Sequence, residues 1–219
     1  MTKRQQPQSL DKSQESGYTI IESLVAMIVV SVLMIAIAPV MAYSVATRVQ
    51  AKRIEMATQA AKTYIEALRS EALKQSANEF PAQYTTDNKL ENTPAPSQGN
   101  INAKGLYCID KDADQTCTAS SNQDLVVQGY YFNNLPALTD PARTGYSLIV
   151  RVYRAASFAS GVGALTTQNT LKAQQGITTA GLGNITAPLV EIRTEIGATD
   201  RQGAYNNFCD RLPGTYSCK

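Results

Sequence analysis

The stretch SGYTIIESLVAMIVV, residues 16–30, joins a polar N-terminal segment to a long apolar one. After Glu22 no charged residue occurs before Arg48, and this gap exceeds the roughly 20 residues that a helix needs to cross a bilayer. We therefore predict one transmembrane helix that begins in this stretch. A carboxylate within such a segment costs about 2.5–3.5 kcal/mol on insertion scales. Glu22 is therefore either a functional residue with a partner or an interfacial glutamate that the helix dipole stabilises.

The composition narrows the class of protein. The 219 residues carry a formal net charge of +2, which argues against a surface dedicated to nucleic acid. The chain has no histidine, and histidine is the commonest general base and metal ligand. The length allows one globular domain plus an appended element. We therefore expect a protein that is not an enzyme and has no nucleic-acid partner.

Polarity divides the chain into four parts. Residues 1–17 are polar and contain no apolar run, so they do not form a secretory signal peptide, and their basic residues favour a cytoplasmic location. Residues 18–47 form the predicted transmembrane helix, and residues 48–78 continue it as an amphipathic half. Residues 79–219 form the remaining domain, which we place outside the membrane because of its cysteines.

A stripe of apolar residues runs along the amphipathic half at helical spacing. It consists of Ala57, Ala60, Ala61, Tyr64, Leu68 and Ala72. The stripe predicts that the helix packs on the soluble domain, and Asn78 and Pro81 predict that the helix ends at about residue 77. Pro39 lies in the apolar half and is expected to kink or locally open the helix.

Four strand-like runs follow a polar loop at residues 82–104 and predict an antiparallel sheet. The runs are Gly105–Asp110, Asp124–Phe132, Tyr146–Arg154 and Leu189–Ile196. One long helix followed by such strands predicts an α+β fold in which the helix packs on the sheet. Arg151 and Arg154 of the third run are expected to be solvated charges at a sheet edge.

The four cysteines form two pairs with the same C-x8-C spacing, Cys108 with Cys117 and Cys209 with Cys218. An even number of cysteines in a domain beyond a membrane helix favours two short-loop disulfides in an oxidising compartment. The alternative is four free or metal-bound thiols, although zinc sites favour tighter spacing and often include histidine.

The segment DKDADQTC, residues 110–117, has acidic residues at alternate positions. Asp110, Asp112 and Asp114 match the first three oxygen donors of a calcium loop. The sixth position of the loop is Gln115 instead of glycine, and the twelfth is Ser121 instead of glutamate. These departures favour a polar hairpin that a disulfide closes, with no resident cofactor, over a calcium site.

Gly17 followed by Tyr-Thr-Ile-Ile-Glu resembles the class III prepilin signal of the type IV pilin and type II secretion pseudopilin superfamily. In that family a membrane peptidase cuts after the glycine and methylates the new amine, so the resemblance assigns Gly17 and Tyr18 to processing. Glu22 matches the glutamate at the fifth mature position, and Pro39 matches a proline at the twenty-second. The resemblance assigns both to assembly. The chain differs at Tyr18, where Phe is usual, and its leader is longer than in many pilins.

The resemblance implies a minor pilin or pseudopilin of pilin-like fold, and the polysaccharide-secretion pseudopilins of cyanobacteria are one similar group. Such a subunit first lies in the inner membrane as a single-pass protein, with a cytoplasmic N-terminus and a periplasmic C-terminal domain. It then enters a filament that supports secretion or motility, where Glu22 is thought to meet the N-terminal amine of a neighbour. The implied partners are the prepilin peptidase, other pilin or pseudopilin subunits, the lipid bilayer and an inner-membrane assembly platform with a separate ATPase.

Two other functions remain open from the residues themselves. One is a pilin-like module for DNA uptake or adhesion, which a basic face with salt-dependent DNA binding would indicate. The other is a single-pass periplasmic protein unrelated to filaments. If that protein were an enzyme, the lack of histidine would require a Ser-Lys pair or paired carboxylates.

Overall fold

The structure, a computed structural model, describes residues 19–87, 89–133, 140–168 and 183–198. Within these residues the chain forms two α-helices, two 3₁₀ turns and five strands. The helices are α1 (Ile20–Arg69) and α2 (Pro141–Thr144), and the 3₁₀ turns are Leu90–Asn92 and Ala155–Phe158. The strands are β1 (Ala82–Gln83), β2 (Leu106–Ile109), β3 (Leu125–Phe132), β4 (Tyr146–Arg154) and β5 (Val190–Ile196).

The N-terminal part of α1 exposes its apolar side chains. The chain forms two compact units that divide between Ser44 and Val45, inside this helix. Every described residue of the first unit is exposed, although most are large and apolar. Pro39 lies inside the continuous helix. None of the described residues of this unit is therefore buried.

The second part of α1 packs on the sheet through the predicted stripe. Five residues of the stripe are buried, together with Ile65, and they are Ala57, Ala60, Ala61, Tyr64 and Leu68. Ala72 is exposed because α1 ends at Arg69, before the predicted end at residue 77. Glu71 has a φ of +56°, a left-handed conformation that turns the chain out of the helix.

All four predicted strands are present, each with ends within one residue of the prediction. β2, β3, β4 and β5 pair antiparallel in sequence order, so β4 lies between β3 and β5. β1 was not predicted, since it is a two-residue strand inside the polar loop, and it pairs parallel with β3. The fold is therefore α+β, with a helix on a mixed five-stranded sheet within the described residues.

Both faces of the sheet are covered. Alternate residues such as Val127, Leu148 and Val150 face α1 and belong to its core cluster. The intervening residues, such as Val126 and Tyr153, form a second cluster with loop residues on the opposite face. Burial on both faces explains why β4 is buried at eight of its nine positions instead of alternating.

α1 and the sheet approach closely at Gly129. A methyl group built there would lie 2.7 Å from the Tyr64 hydroxyl oxygen, so the strand has space for a helix tyrosine only because this residue is glycine. The Tyr64 hydroxyl donates to the carbonyl of Glu79 at 2.7 Å. Burial raises the pKa of Tyr64 above its ordinary value, with smaller contributions from Tyr146 and Glu79. The hydroxyl therefore stays protonated and remains a donor.

Candidate functional site

The first candidate site is the start of α1. The backbone N–H of Glu22 donates to the Thr19 carbonyl at 3.0 Å and to Thr19 Oγ1 at 3.4 Å. Thr19 and Glu22 therefore stand in the T-x-x-E order of a capping box, in which a glutamate supports the first helical turn. The Glu22 side chain is exposed in the described residues. Gly17 and Tyr18 lie outside these residues.

The helix that follows meets the requirements for crossing a membrane. α1 is, within the described residues, the one helix that is long and apolar enough to span a bilayer. Its most apolar window is exposed throughout, unlike the core helix of a soluble protein. Glu22 lies in the first turn of α1, and no other charged residue follows before Arg48.

Comparison with protein-family models identifies this segment. Residues 12–38 match the prokaryotic N-terminal methylation motif. They are a class III prepilin signal. The signal includes Gly17, Tyr18 and Glu22, and Pro39 directly follows it. It supports a type IV pilin-like or pseudopilin protein. Neither the curated proteins nor the solved structures contain a match to the chain.

The second unit has a disulfide between Cys108 and Cys117, as predicted. Cys108 lies on β2, and Cys117 lies in the loop that leads to β3. The bond therefore ties that loop to the strand from which it leaves. Cys209 and Cys218 lie outside the described residues, so their predicted disulfide stays a prediction.

Replacing both Cys108 and Cys117 with serine is expected to lower the free energy of unfolding by about 2–3 kcal/mol, from the chain entropy of a closed loop of this length. The two cysteines are separated by 9 positions. Urea unfolding of the full chain in detergent, followed by circular dichroism, measures the change. A midpoint equal to that of the parent protein would show that the loop does not depend on the bond.

The acidic loop inside this disulfide is ordered by its own backbone. Asp110 accepts hydrogen bonds from the N–H groups of Ala113 at 2.7 Å and Gln115 at 2.8 Å. Desolvation acts to raise the pKa of Asp110, but its hydrogen bonds with Gln115, Ala113 and Asp112 together leave the pKa below its ordinary value. Gln115 has a φ of +63°, so it adopts the left-handed conformation that glycine provides at the sixth position of a calcium loop.

The structure places a different third carboxylate beside Asp110 and Asp112 from the one that the sequence predicted. Oxygen atoms of Asp110, Asp112 and Asp124 lie within 4.8 Å of one another, and we call these residues the acidic cluster. Asp114 is not part of it, and its Oδ1 accepts hydrogen bonds from the backbone and hydroxyl of Thr116, each at 2.8 Å. Asp124 precedes β3, and no spacing rule of the calcium loop points to it.

A buried ion pair joins β4, β5 and the loop that covers the sheet face opposite α1, and the sequence did not predict it. Arg151 is 1% exposed, and its Nε donates to Glu191 Oε2 at 2.8 Å across β4 and β5. Its Nη1 donates to the carbonyl of Thr93 at 3.0 Å, and its Nη2 donates to the carbonyl of Glu91 at 3.3 Å. The prediction of a solvated edge charge was wrong, because β4 is an inner strand and a loop covers this face.

Arg154 is also buried, contrary to the prediction. It is 7% exposed, and its Nη2 donates to Oε1 of the buried Gln50 on α1 at 3.4 Å. Burial, and then the nearby charge of Arg53, lower the pKa of Arg154 below its ordinary value. Arg154 therefore joins the end of β4 to the helix instead of facing solvent.

Proposed function

We propose that this protein is a structural subunit, a minor pilin or pseudopilin, of a type IV pilus or a type II secretion-like filament. The observation that carries the proposal is the prepilin signal at residues 12–38, which overlaps the part of α1 whose apolar side chains are exposed, up to Ser44. The lack of histidine in the chain supports a structural subunit over an enzyme.

The exposed helix supports assembly as well as anchoring. Its large apolar residues between Ile20 and Val45 are half or more exposed in almost every case. Apolar surface of this extent requires lipid or protein around it. The bilayer supplies this cover before assembly, and the helices of neighbouring subunits supply it in the filament. The folded domain then lies on the periplasmic side, where its disulfide is stable.

Assembly needs partners that the chain does not contain. Prepilin peptidase removes the leader after Gly17, and the mature chain begins at Tyr18. An inner-membrane platform with a separate ATPase drives insertion into the filament, in keeping with the lack of a P-loop pattern in this sequence. Glu22 attracts the N-terminal amine of a neighbour, which sets the axial register between subunits.

The intact mass of the protein purified from its native membrane tests the proposal. We expect a chain that starts at Tyr18 and carries one added methyl group. A Gly17→Val variant is expected to keep its leader, whereas the matched Ser16→Ala variant is expected to lose it. A native protein that retains residues 1–17 would contradict the proposal and leave an ordinary single-pass anchor.

A further inference from the structure

We propose that the acidic cluster of Asp110, Asp112 and Asp124 is a calcium-binding site in the loop between β2 and β3. The site rests on side chains of the soluble domain and does not depend on the proposed role in a filament. Two independent observations support it. Three carboxylates converge, and the buried Asp124 has a carboxylate oxygen without a hydrogen-bond donor among the described residues.

The first observation is the geometry of the cluster. One oxygen from each of the three carboxylates lies within 4.8 Å of the others. Negative charges at this separation repel one another, and a divalent cation between them replaces the repulsion with attraction. The three residues differ in burial: Asp112 is exposed, Asp110 is half-buried and Asp124 is buried. The cluster is therefore accessible to solvent on the side of Asp112.

The second observation is a buried carboxylate oxygen without a donor. Asp124 is 0% exposed. Its Oδ1 accepts a hydrogen bond from the Lys111 N–H at 3.0 Å, whereas its Oδ2 has no hydrogen-bond partner in the described residues. A buried carboxylate is normally paired or bound to a metal. A cation bound by the acidic cluster would neutralise this buried carboxylate, which contributes an oxygen to the cluster.

The surrounding hydrogen bonds hold the other two ligands without using all their capacity. Both oxygens of Asp110 accept backbone N–H groups, and Asp112 Oδ2 accepts the Ser121 hydroxyl at 2.8 Å. Ser121 Oγ in turn accepts the Asp124 N–H at 3.1 Å, so one hydroxyl links two members of the cluster. A carboxylate oxygen has about two lone pairs, so these oxygens still have capacity for a metal.

The chemistry of the donors selects calcium. All three ligands are carboxylate oxygens, which hard cations prefer, and the nearby Cys108 and Cys117 are bonded to each other. Calcium tolerates irregular geometry and completes its shell with water, whereas magnesium needs a near-ideal octahedron. The exposed side of the cluster, at Asp112, leaves room for water. Affinity should fall in the range of extracellular modules, with Kd about 10⁻⁴–10⁻³ M.

Calcium titration of the full chain in detergent tests the site. Isothermal calorimetry measures the stoichiometry, and thermal unfolding in calcium chloride, magnesium chloride or EDTA measures the stabilisation. We expect one calcium ion per chain and a rise in Tm of about 3–8 °C at calcium concentrations well above Kd. Magnesium is expected to give a much smaller rise.

Three variants separate the site from general acidity. Asp124→Asn keeps the shape of the side chain and is expected to abolish the calcium-dependent rise in Tm. Its Tm in EDTA should equal or exceed that of the parent, because a neutral amide replaces a buried charge. Asp112 lies at the exposed side of the cluster, so its replacement should not disturb the core. Asp112→Asn is expected to weaken calcium binding at least tenfold, and it tests the site if Asp124→Asn does not fold. Asp114→Asn is the matched control and is expected to bind calcium within twofold of the parent.

Two results would overturn the site. One is the absence of saturable calcium binding at concentrations of about 10 mM, well above the expected Kd. The other is equal calcium affinity in the Asp112→Asn and Asp114→Asn variants. The mass of the mature chain is independent of both results, so failure of the calcium site and failure of the filament role are distinguishable.

Discussion

Replacing Arg151 with alanine is expected to lower the free energy of unfolding by about 3–5 kcal/mol, the usual cost of removing one partner of a buried ion pair. The Glu191 side chain is 4% exposed, so the variant leaves a carboxylate buried beside an empty volume. The carbonyls of Glu91 and Thr93 also lose their donor. The loop at residues 90–94 then keeps two other side-chain contacts with the sheet. Gln128 donates to the Pro94 carbonyl, and Arg193 forms an exposed ion pair with Glu91.

Arg193→Ala is the matched control for this prediction. Arg193 lies on β5 and also pairs with Glu91 and Glu191, but its side chain is 53% exposed. An exposed pair contributes about 0–1 kcal/mol, so this variant should unfold close to the parent. The double variant Arg151→Met with Glu191→Leu removes both buried charges and should be more stable than Arg151→Ala. Urea unfolding that places Arg151→Ala within about 1 kcal/mol of the parent would contradict the prediction.

The strands were predictable because their signal is local. β-branched and aromatic runs bounded by polar loops marked all four long strands within one residue. The burial of Arg151 was not predictable, because the loop that covers it lies far away in the sequence. Arg151 binds the carbonyl of Glu91, which is 60 positions earlier in the chain. Nothing in the run YSLIVRVYR distinguishes a solvated arginine from one that binds the carbonyls of a distant loop.

The acidic cluster shows the same division. The alternate acids of residues 110–114 pointed to two of its three carboxylates, because an acidic turn of this kind folds on its own backbone. The third comes from Asp124, which the pairing of β2 with β3 brings back to the loop. Likewise, the apolar stripe predicted which helix face packs, but not the left-handed Glu71 that accompanies the end of the helix. The prepilin signal was fully readable, because it is a linear pattern.

Replacing Glu22 with valine is expected to reduce the amount of protein in filaments at least about tenfold. The substitution would leave the N-terminal amine of a neighbouring subunit unpaired, and an unpaired charge in a low-dielectric core is costly. This expectation rests on the proposed function. The variant removes the carboxylate that would meet a neighbour's N-terminal amine, and it leaves the processing residues Gly17 and Tyr18 unchanged. Immunoblots of sheared filaments and of membranes measure the two fractions, and the intact mass shows whether the leader is removed. We expect normal processing and accumulation in the membrane.

Glu22→Gln separates pairing between subunits from capping within one chain. Glutamine serves at the last position of a capping box as well as glutamate does, so it retains support for the first turn that begins at Thr19. It has no charge to attract an amine. If Glu22 acts by charge, the Glu22→Gln variant should fail to enter filaments, as the valine variant does. Ser31→Val, a control substitution elsewhere on α1, should assemble normally. Assembly of Glu22→Gln at the parent level would assign the residue to helix capping and remove it from the assembly mechanism.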